Sequence, residues 1–169
     1  METTADRNDF LRMIQENKGI IIKICTSYCK TNNDREDLAQ EIIYHLWKSG
    51  KSFNQDYKFS TWMYRVALNV AISFYRREKK AIPLLPISEL HINIEEAPCD
   101  NEETEKNIQL LQRLIAEMKE LDKALLLLWF ESKSYADISE ILGITETNVA
   151  TRLSRIKDRL KQQFAQIQK

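Results

Sequence analysis

The side chains best suited to do chemistry in this sequence are those that could bind nucleic acid. Near the C-terminus, the segment TNVATRLSRIKDRLK has apolar residues at helical spacing. At about 100° per residue these form one stripe, and a separate sector of the helix holds Asn148, Arg152, Arg155 and Arg159. Asparagine and arginine match the hydrogen-bonding groups of adenine and guanine in the major groove, and arginine also binds phosphate. We therefore expect this helix to contact duplex DNA.

A second segment, FSTWMYRVALNVAISFYRREKK, combines large aromatic side chains with an asparagine and a basic end. Its apolar stripe consists of Phe59, Met63, Val66 and Val70. A neighbouring sector, about 60° wide on a continuous helix, holds Trp62, Arg65, Asn69 and Arg76. Tryptophan offers a stacking surface for an unpaired base, asparagine a hydrogen-bonding edge, and arginine a phosphate contact. We expect this sector to face DNA, the alternative being that Trp62 is a partly buried core aromatic.

The C-terminal helix is preceded by the pattern of a helix-turn-helix. Ser134 can cap one helix with Asp137 three residues later, and Gly143 can adopt the left-handed conformation that ends it. Thr145 can then cap the next helix. The apolar positions that let the two helices cross are Ile138, Leu142, Ile144 and Val149. The alternative is an ordinary helical hairpin in an all-α core.

The N-terminal half contains two further amphipathic patterns. Apolar residues between Phe10 and Tyr28 recur at helical spacing and predict one helix that ends near KTNND. The next segment, DREDLAQEIIYHLW, predicts a helix capped by Asn33 or Asp34 and ended at Gly50. Its apolar side is formed by Leu38, Ile42 and Leu46, with Ile43 at one edge, and its opposite side by Asp37, Gln40, Glu41 and Tyr44. Taken alone, that opposite side could be simply a solvated face.

Composition favours helix and excludes several classes of protein. The 169 residues include only three glycines and three prolines, and strand signals are scarce. The longest apolar run, residues 124–130, is far shorter than the ~20 residues that span a bilayer, and no signal-peptide pattern begins the chain. We therefore expect a cytoplasmic protein without direct membrane insertion.

Nothing in the sequence indicates catalysis. No carboxylate pair, nucleophile with its base, glycine-rich phosphate loop or metal cluster stands out, and His45 and His91 are isolated. Cys25 and Cys29 share a helix face that could in principle serve zinc, but free buried thiols are the simpler interpretation, since no other His or Cys pair is obviously available. We expect no enzyme activity, no cofactor, no metal and no small-molecule substrate.

The net charge of zero conceals a strong segregation of charge. Residues 81–105 contain seven acidic side chains and no Lys or Arg, and Pro83, Pro86 and Pro98 interrupt any helical pattern there. Basic clusters flank this stretch, so the chain can meet nucleic acid locally. We predict an all-α protein of two small helical domains, residues 1–81 and 106–169, joined by an acidic flexible linker over residues 82–105.

The order and separation of four segments resemble those of a known family. The segments are DREDLAQEIIYHLW, FSTWMYRVALNVAISFYRREKK, the acidic linker and the helix-turn-helix. They are similar to bacterial RNA polymerase sigma factors of the extracytoplasmic function (ECF) group, over about residues 8–164. The resemblance implies that residues 1–81 form sigma region 2 and residues 106–169 sigma region 4. It implies that the protein binds core RNA polymerase, directs it to promoter DNA, and is held inactive by an anti-sigma factor.

The resemblance also implies roles for individual residues. The helix with the acidic side would contact the clamp helices of the largest polymerase subunit, which assigns core binding to Asp37, Gln40 and Glu41. Binding and opening of the minus-ten element is assigned to Trp62, Arg65, Asn69, Arg76 and Arg77. Recognition of the minus-thirty-five element is assigned to Thr147, Asn148, Thr151, Arg152, Arg155 and Arg159.

Two departures from the family pattern affect which promoter is recognised. Ser73 stands where many relatives have an acidic residue, and Ala150 and Thr151 stand where relatives often carry a polar or basic one.

Two other classes of protein remain as alternatives. One is a one-component regulator that senses a ligand with its N-terminal half and binds operator DNA with its C-terminal half. The other is a helical module that binds only another protein, which leaves both basic faces unexplained.

Overall fold

The structure, a computed structural model, describes residues 4–81 and 102–167, and every regular element in these two ranges is helical. The predicted all-α class is therefore confirmed. The described residues form two compact units, the first built from the helices of residues 4–81 and the second from most of residues 102–167. Residues 82–101 of the predicted linker lie outside the described ranges. None of the described helices is both long and apolar enough to cross a membrane.

In the first unit, the described residues form four helices and one 3₁₀ turn. The helices are α1 (Thr4–Glu16), α2 (Lys18–Tyr28), α3 (Asn32–Ser49) and α4 (Phe59–Ala81), and the turn is Gly50–Ser52. Helices α2, α3 and α4 pack against one another. Their fully buried side chains include Ile24, Leu38, Ile42, Leu46, Met63 and Leu68. Burial of each such side chain is worth about 1.5–3 kcal/mol, so this core holds α3 firmly beside α4.

The prediction of a single N-terminal helix is wrong, because the chain forms two helices there. The break falls at Asn17, whose side-chain Nδ2 donates to the Met13 carbonyl oxygen at 2.8 Å. A short amide side chain that bonds to nearby backbone competes with the helical hydrogen bonds, and Gly19 further lowers the helix propensity. The apolar periodicity continues across the break and therefore does not reveal it.

The ends of α3 also differ from expectation. The N-cap is Thr31 rather than Asn33 or Asp34, and its Oγ1 accepts a hydrogen bond from the Asp34 backbone N–H at 3.1 Å. Gly50 does occupy the C-cap position, but its φ of −55° is right-handed. Glycine is favoured for a different reason, since a Cβ at this position would lie 2.7 Å from Phe10 Cζ and the ring would have to shift. Gly50 thus lets the Phe10 ring pack closely on the end of α3.

The second unit contains the C-terminal helices. These are α5 (Glu102–Ala116), α6 (Glu120–Phe130), α7 (Tyr135–Leu142) and α8 (Glu146–Ile167). Helix α5 begins at Glu102, so residues 102–105 of the predicted linker are helical. Both α5 and α6 contact α8. The buried apolar side chains of α6 and α8 include Leu125, Leu126, Leu128, Val149, Leu153 and Ile156.

The predicted caps of the helix-turn-helix are confirmed. Ser134 Oγ accepts a hydrogen bond from the Asp137 backbone N–H at 3.0 Å, and the Asp137 carboxylate accepts one from the Ser134 backbone N–H at 3.3 Å. Gly143 ends α7 with a left-handed φ of +67°. At the start of α8, Thr145 Oγ1 accepts from the Asn148 backbone N–H at 3.2 Å. These local bonds determine where α7 ends and where α8 begins.

Candidate nucleic-acid interface

The exposed side of α8 carries most of the residues predicted to contact duplex DNA. Val149, Leu153 and Ile156 are buried, as the apolar stripe predicts. The exposed members of the predicted set are Thr147, Asn148, Thr151, Arg155 and Arg159. The structure therefore places amide, hydroxyl and guanidinium groups together on one solvent-facing helix surface, and groups of this kind bind base edges and phosphates.

Arg152 differs from the other predicted contacts because it is bound within the protein. Its Nη1 donates to Asp122 Oδ1 at 2.9 Å, and its Nε donates to Asn148 Oδ1 at 3.0 Å. Asp122 is buried and lies in the first turn of α6, where the helix dipole favours a carboxylate. Asp122 was not among the predicted site residues, because 30 residues separate it from Arg152 and no local pattern marks the pair.

Helix α4 presents three of its predicted DNA contacts to solvent. Arg65, Asn69 and Arg76 are all exposed. In the predicted apolar stripe, Phe59, Met63 and Val70 are buried. Val66 is half-buried. The exposed amide and guanidinium groups are of the kind that bind base edges and phosphates.

Trp62, the fourth predicted contact on α4, belongs to an aromatic cluster. Its ring centroid lies 5.2 Å from that of Phe53, 5.4 Å from that of Phe59 and 6.0 Å from that of Phe10. The side chain is half-buried. Trp62 therefore packs against other rings while part of its surface stays open to solvent, which combines features of both roles considered for it.

Arg77 contacts a residue that the sequence assigned to a different surface. Its Nη2 donates to both carboxylate oxygens of Glu41 at 2.7 Å, and its guanidinium lies 5.7 Å from the centroid of the Phe74 ring. Arg77 was predicted to bind the minus-ten element, whereas Glu41 was predicted to bind polymerase. The ion pair therefore links one residue from each of the two predicted surfaces.

The outer side of α3 mixes charged and apolar groups. Asp37 and Gln40 are exposed and Glu41 is half-buried. The same helix exposes large apolar side chains, among them Ile43, Tyr44 and Trp47. Exposed apolar side chains that stand beside polar ones are a feature of protein interaction sites. Ile43 and Trp47 extend the predicted surface beyond the residues that the sequence assigned to it.

A cleft of about 490 Å³ opens on the first unit. Its walls include Phe10, Trp47, Phe53 and Lys51. Arg7 also lines it and lies over the Trp47 ring, with its guanidinium 5.6 Å from the ring centroid. Sequence analysis did not predict this cleft, because α1, the end of α3 and the following loop form it jointly.

The two cysteines of the first unit are buried thiols. Burial raises the pKa of Cys25 from 9.0 to about 11. Burial, followed by repulsion from the neighbouring Cys25, raises the pKa of Cys29 from 9.0 to about 12. The described residues contain no cluster of three or more His, Cys, Asp or Glu side chains placed to hold a metal ion. Cys99 lies outside the described ranges.

Comparison with known proteins relates the two units to one family. The Sigma-70 region 2 family matches residues 13–81, and the Sigma-70, region 4 family matches residues 108–160. The chain is similar to the ECF RNA polymerase sigma factor SigW of Bacillus subtilis, with 24% identity over 95% of this chain and 91% of that protein. It is also similar to the RNA polymerase sigma factor YlaC of Bacillus subtilis, with 30% identity over 75% of each chain.

Among solved structures, the fold is similar to that of the sigma factor RpoE from Bartonella quintana in complex with the anti-sigma factor NepR. The TM-score is 0.60 and the identity 16%, with 96% of this chain and 98% of that chain covered. This likeness supports the all-α, two-unit architecture. The family matches cover both units, and the relatives match most of the chain. The protein therefore belongs to the ECF group of RNA polymerase sigma factors.

Proposed function

We propose that this sigma factor binds core RNA polymerase through α3, holds the minus-ten element with α4 and recognises the minus-thirty-five element with α8. The observation that carries the assignment is the exposure of amide and guanidinium groups on α4 and α8, the helices that end the two family-matched regions. Region 2 then comprises residues 1–81, and region 4 the residues from the start of α5 at Glu102 to residue 169, with the linker shortened to residues 82–101.

The polymerase contact is assigned to the outer side of α3. Asp37, Gln40 and Glu41 supply hydrogen-bond acceptors and negative charge, and the adjacent exposed Tyr44 supplies apolar area. Such a surface suits a partner that presents basic side chains around an apolar centre. The clamp helices of the largest polymerase subunit are the expected partner.

The minus-ten element is assigned to the exposed side of α4. Arg65 and Arg76 would hold the phosphates of a separated strand, and Asn69 would bond to a base edge. The open part of the Trp62 ring would stack on an unpaired base, while the rest of the ring stays packed in the aromatic cluster. Arg77 would bind backbone phosphate near the end of the helix.

The minus-thirty-five element is assigned to α8, which would enter the major groove as the second helix of a helix-turn-helix. Thr147, Asn148 and Thr151 lie in its first turns, where base edges are nearest. Arg155 and Arg159 lie further along the exposed side and would bind phosphate.

The proposed partners are core polymerase, promoter DNA and an anti-sigma factor. The similar RpoE structure contains the anti-sigma factor NepR, and we infer that a partner of this kind holds the present chain inactive. RNA synthesis itself would be carried out by the polymerase, so the chain needs no catalytic group of its own. Its place of action would be the cytoplasm, where polymerase meets the chromosome.

The test is transcription by core polymerase from a library of promoter sequences. With the chain present, we expect transcripts that begin at defined positions downstream of a shared pair of sequence elements. Core polymerase alone should lack this selectivity. As a matched control, Arg155→Ala together with Arg159→Ala should keep core binding but lose initiation that depends on the upstream element.

A one-component regulator is the rival function, and the same experiment separates it. A regulator would bind duplex operator DNA without polymerase and would not convert core enzyme to specific initiation. The match of residues 13–81 to Sigma-70 region 2 favours the sigma factor, because the rival function needs a ligand sensor in this half of the chain.

A further inference from the structure

A chain of two hydrogen bonds leads from the interior of the second unit to the exposed side of α8. Asp122 Oδ1 accepts a hydrogen bond from Arg152 Nη1 at 2.9 Å. The exposed fraction of the Asp122 side chain is only 12%, against 37% for Arg152. A carboxylate this buried needs its partner, because removing one member of a buried pair leaves an uncompensated charge. The guanidinium of Arg152 is therefore held against α6.

Arg152 in turn determines the orientation of the Asn148 amide. Arg152 Nε donates to Asn148 Oδ1 at 3.0 Å. Arginine Nε–H is only a donor, so the Asn148 atom that faces it must be the carbonyl oxygen and not the amide nitrogen. The nitrogen, with its two N–H donors, is the other polar end of this exposed side chain.

This orientation bears on which base Asn148 can recognise. A bidentate contact to adenine needs both ends of the amide, the oxygen to accept from N6 and the nitrogen to donate to N7. Here one lone pair of the oxygen already accepts from a cation, and an adenine amino group that approached the other lone pair would be repelled by the Arg152 donors. Guanine presents only acceptors at O6 and N7, so it matches the N–H donors of the Asn148 amide.

We propose that Asp122 is a positioning residue which, through Arg152, turns the Asn148 amide into a donor that selects guanine over adenine in the minus-thirty-five element. The proposal rests on the proposed function, in which α8 enters the major groove. Under this proposal Arg152, which was predicted to contact a base directly, instead orients the Asn148 amide. Asp122 itself touches no DNA.

The test measures base preference in a promoter library randomised over the minus-thirty-five region, using the full chain with core polymerase. The informative position is the one at which the parent and Asn148→Ala differ. There we expect the parent to favour guanine over adenine by roughly 5-fold to 150-fold, the range for a good base contact. Asn148→Asp replaces the donor by an acceptor and should select cytosine on the same strand, because cytosine offers its N4 donor.

The role of Asp122 is tested by Asp122→Ala, which should lower the guanine-to-adenine ratio at that position several-fold and leave other positions unchanged. Asp158→Asn is the matched control. It removes one negative charge from an exposed site on α8 and should leave the ratio as in the parent. A general electrostatic effect would instead shift both variants alike and would overturn the assignment of Asp122.

Two further outcomes would overturn the proposal. One is selection of adenine by the parent at the Asn148-dependent position, and the other is an unchanged ratio in a folded Asp122→Ala. If circular dichroism shows that Asp122→Ala does not fold, Arg152→Lys decides, because it keeps the charge that pairs with Asp122 but removes the Nε donor to Asn148. An unchanged guanine-to-adenine ratio in that variant would refute the mechanism.

Failure of the proposed function is distinguishable from failure of this inference. If the parent supports no promoter-specific transcription with core polymerase, the sigma assignment fails. Base preference is then measured by selecting duplexes from the same library that bind the chain directly, with the same variants and the same expected ratios. If transcription succeeds but the guanine-to-adenine ratio in Asp122→Ala equals that of the parent, only the inference about Asp122 is overturned.

Discussion

Glu41 and Arg77 form an ion pair across 36 residues of sequence, with Arg77 Nη2 at 2.7 Å from both carboxylate oxygens of Glu41. The pair joins α3 to α4 within the first unit. The exposed fraction of the Arg77 side chain is 62%, and that of Glu41 is 28%. A pair this open to solvent stabilises the fold by about 0–1 kcal/mol. Its importance lies in connecting the proposed polymerase surface to the basic end of the proposed minus-ten helix.

Charge reversal at Glu41 is expected to weaken binding to core polymerase without unfolding the chain. Glu41→Lys removes an acidic contact and introduces repulsion with the basic partner surface, which should cost roughly 10-fold or more in affinity. The free energy of unfolding should fall by only about 1 kcal/mol, since the lost ion pair is mostly exposed. Fluorescence anisotropy with labelled chain gives the affinity, and urea denaturation gives the stability.

Arg77→Gln is the matched control for Glu41→Lys, because it breaks the same ion pair and leaves the carboxylate in place. It should keep the parent affinity for core polymerase and lose affinity for promoter DNA in the assembled complex. An equal loss of core binding in both variants would show that the ion pair, and not the Glu41 carboxylate, supports the polymerase surface. Parent-like core binding by Glu41→Lys would contradict the assignment of α3.

Gly50 and Gly19 should respond oppositely to alanine. At Gly50 the new Cβ would lie 2.7 Å from Phe10 Cζ, so the aromatic ring must shift, at a cost of about 1–3 kcal/mol. At Gly19, in the first turn of α2, no such atom lies within 4 Å, and alanine should stabilise by up to about 1 kcal/mol. Urea denaturation measures both changes, and a stabilised Gly50→Ala would contradict the close packing of Phe10.

The buried thiols predict a loss of stability at high pH. The unfolded chain releases its thiol protons near pH 9.0, whereas the folded chain holds them to about 11 at Cys25 and about 12 at Cys29. Protons are therefore bound more tightly in the folded state, so this contribution is complete below pH 9 and declines as the pH rises through the raised pKa values. Thermal unfolding from pH 8 to 11 should show this decline.

The control for the thiol prediction is the double variant Cys25→Ala with Cys29→Ala, which should have a flatter pH profile over the same range. A second measurement is labelling with a thiol reagent at pH 8 in a Cys99→Ser background. Both remaining thiols should stay unreactive in the folded protein and react once denaturant is added. Rapid labelling of folded protein would show that these side chains are accessible.

The parts of the molecule that sequence predicted best are those determined by local bonds. The helix-turn-helix follows from Ser134, Asp137, Gly143 and Thr145, each of which acts within a few residues of its own position. The break at Asn17 was missed although it is also local, because apolar periodicity outweighed a single polar side chain. Periodicity reports which face of a helix is buried but not where the helix is interrupted.

The parts that sequence could not predict join distant segments. The Glu41–Arg77 and Asp122–Arg152 pairs depend on how far one helix is shifted along another, and no pattern within a single helix encodes that shift. The exposed sectors of α4 and α8 were predicted correctly except for Trp62 and Arg152, which are half-buried, since these sectors follow from the buried stripe. Only the packing shows which side chain of a sector is already bound to another residue of the protein, as Arg152 is.

Trp62 poses this question most sharply, because its ring is shared between the aromatic cluster and the solvent. Truncation to alanine would remove packing against Phe53 and Phe59 as well as any stacking on DNA, and would leave a gap in the cluster. Two variants with side chains of similar size to each other separate the loss of packing from the loss of stacking. Trp62→Phe keeps an aromatic face, whereas Trp62→Leu keeps apolar volume without one.

We expect Trp62→Leu to bind core polymerase and form a closed promoter complex but to open it poorly, while Trp62→Phe retains most opening. Stacking of a base on an aromatic ring is worth roughly 1–3 kcal/mol, so its loss should shift the closed-to-open equilibrium by about one to two decades. Permanganate reactivity of unpaired thymines measures the open fraction, and a premelted template should restore Trp62→Leu. Asn69→Ala changes an exposed residue outside the cluster and should reduce opening with little change in the free energy of unfolding. If both Trp62 variants opened duplex promoters as well as the parent, the ring would serve packing alone, and the minus-ten contact would fall to Arg65, Asn69 and Arg76.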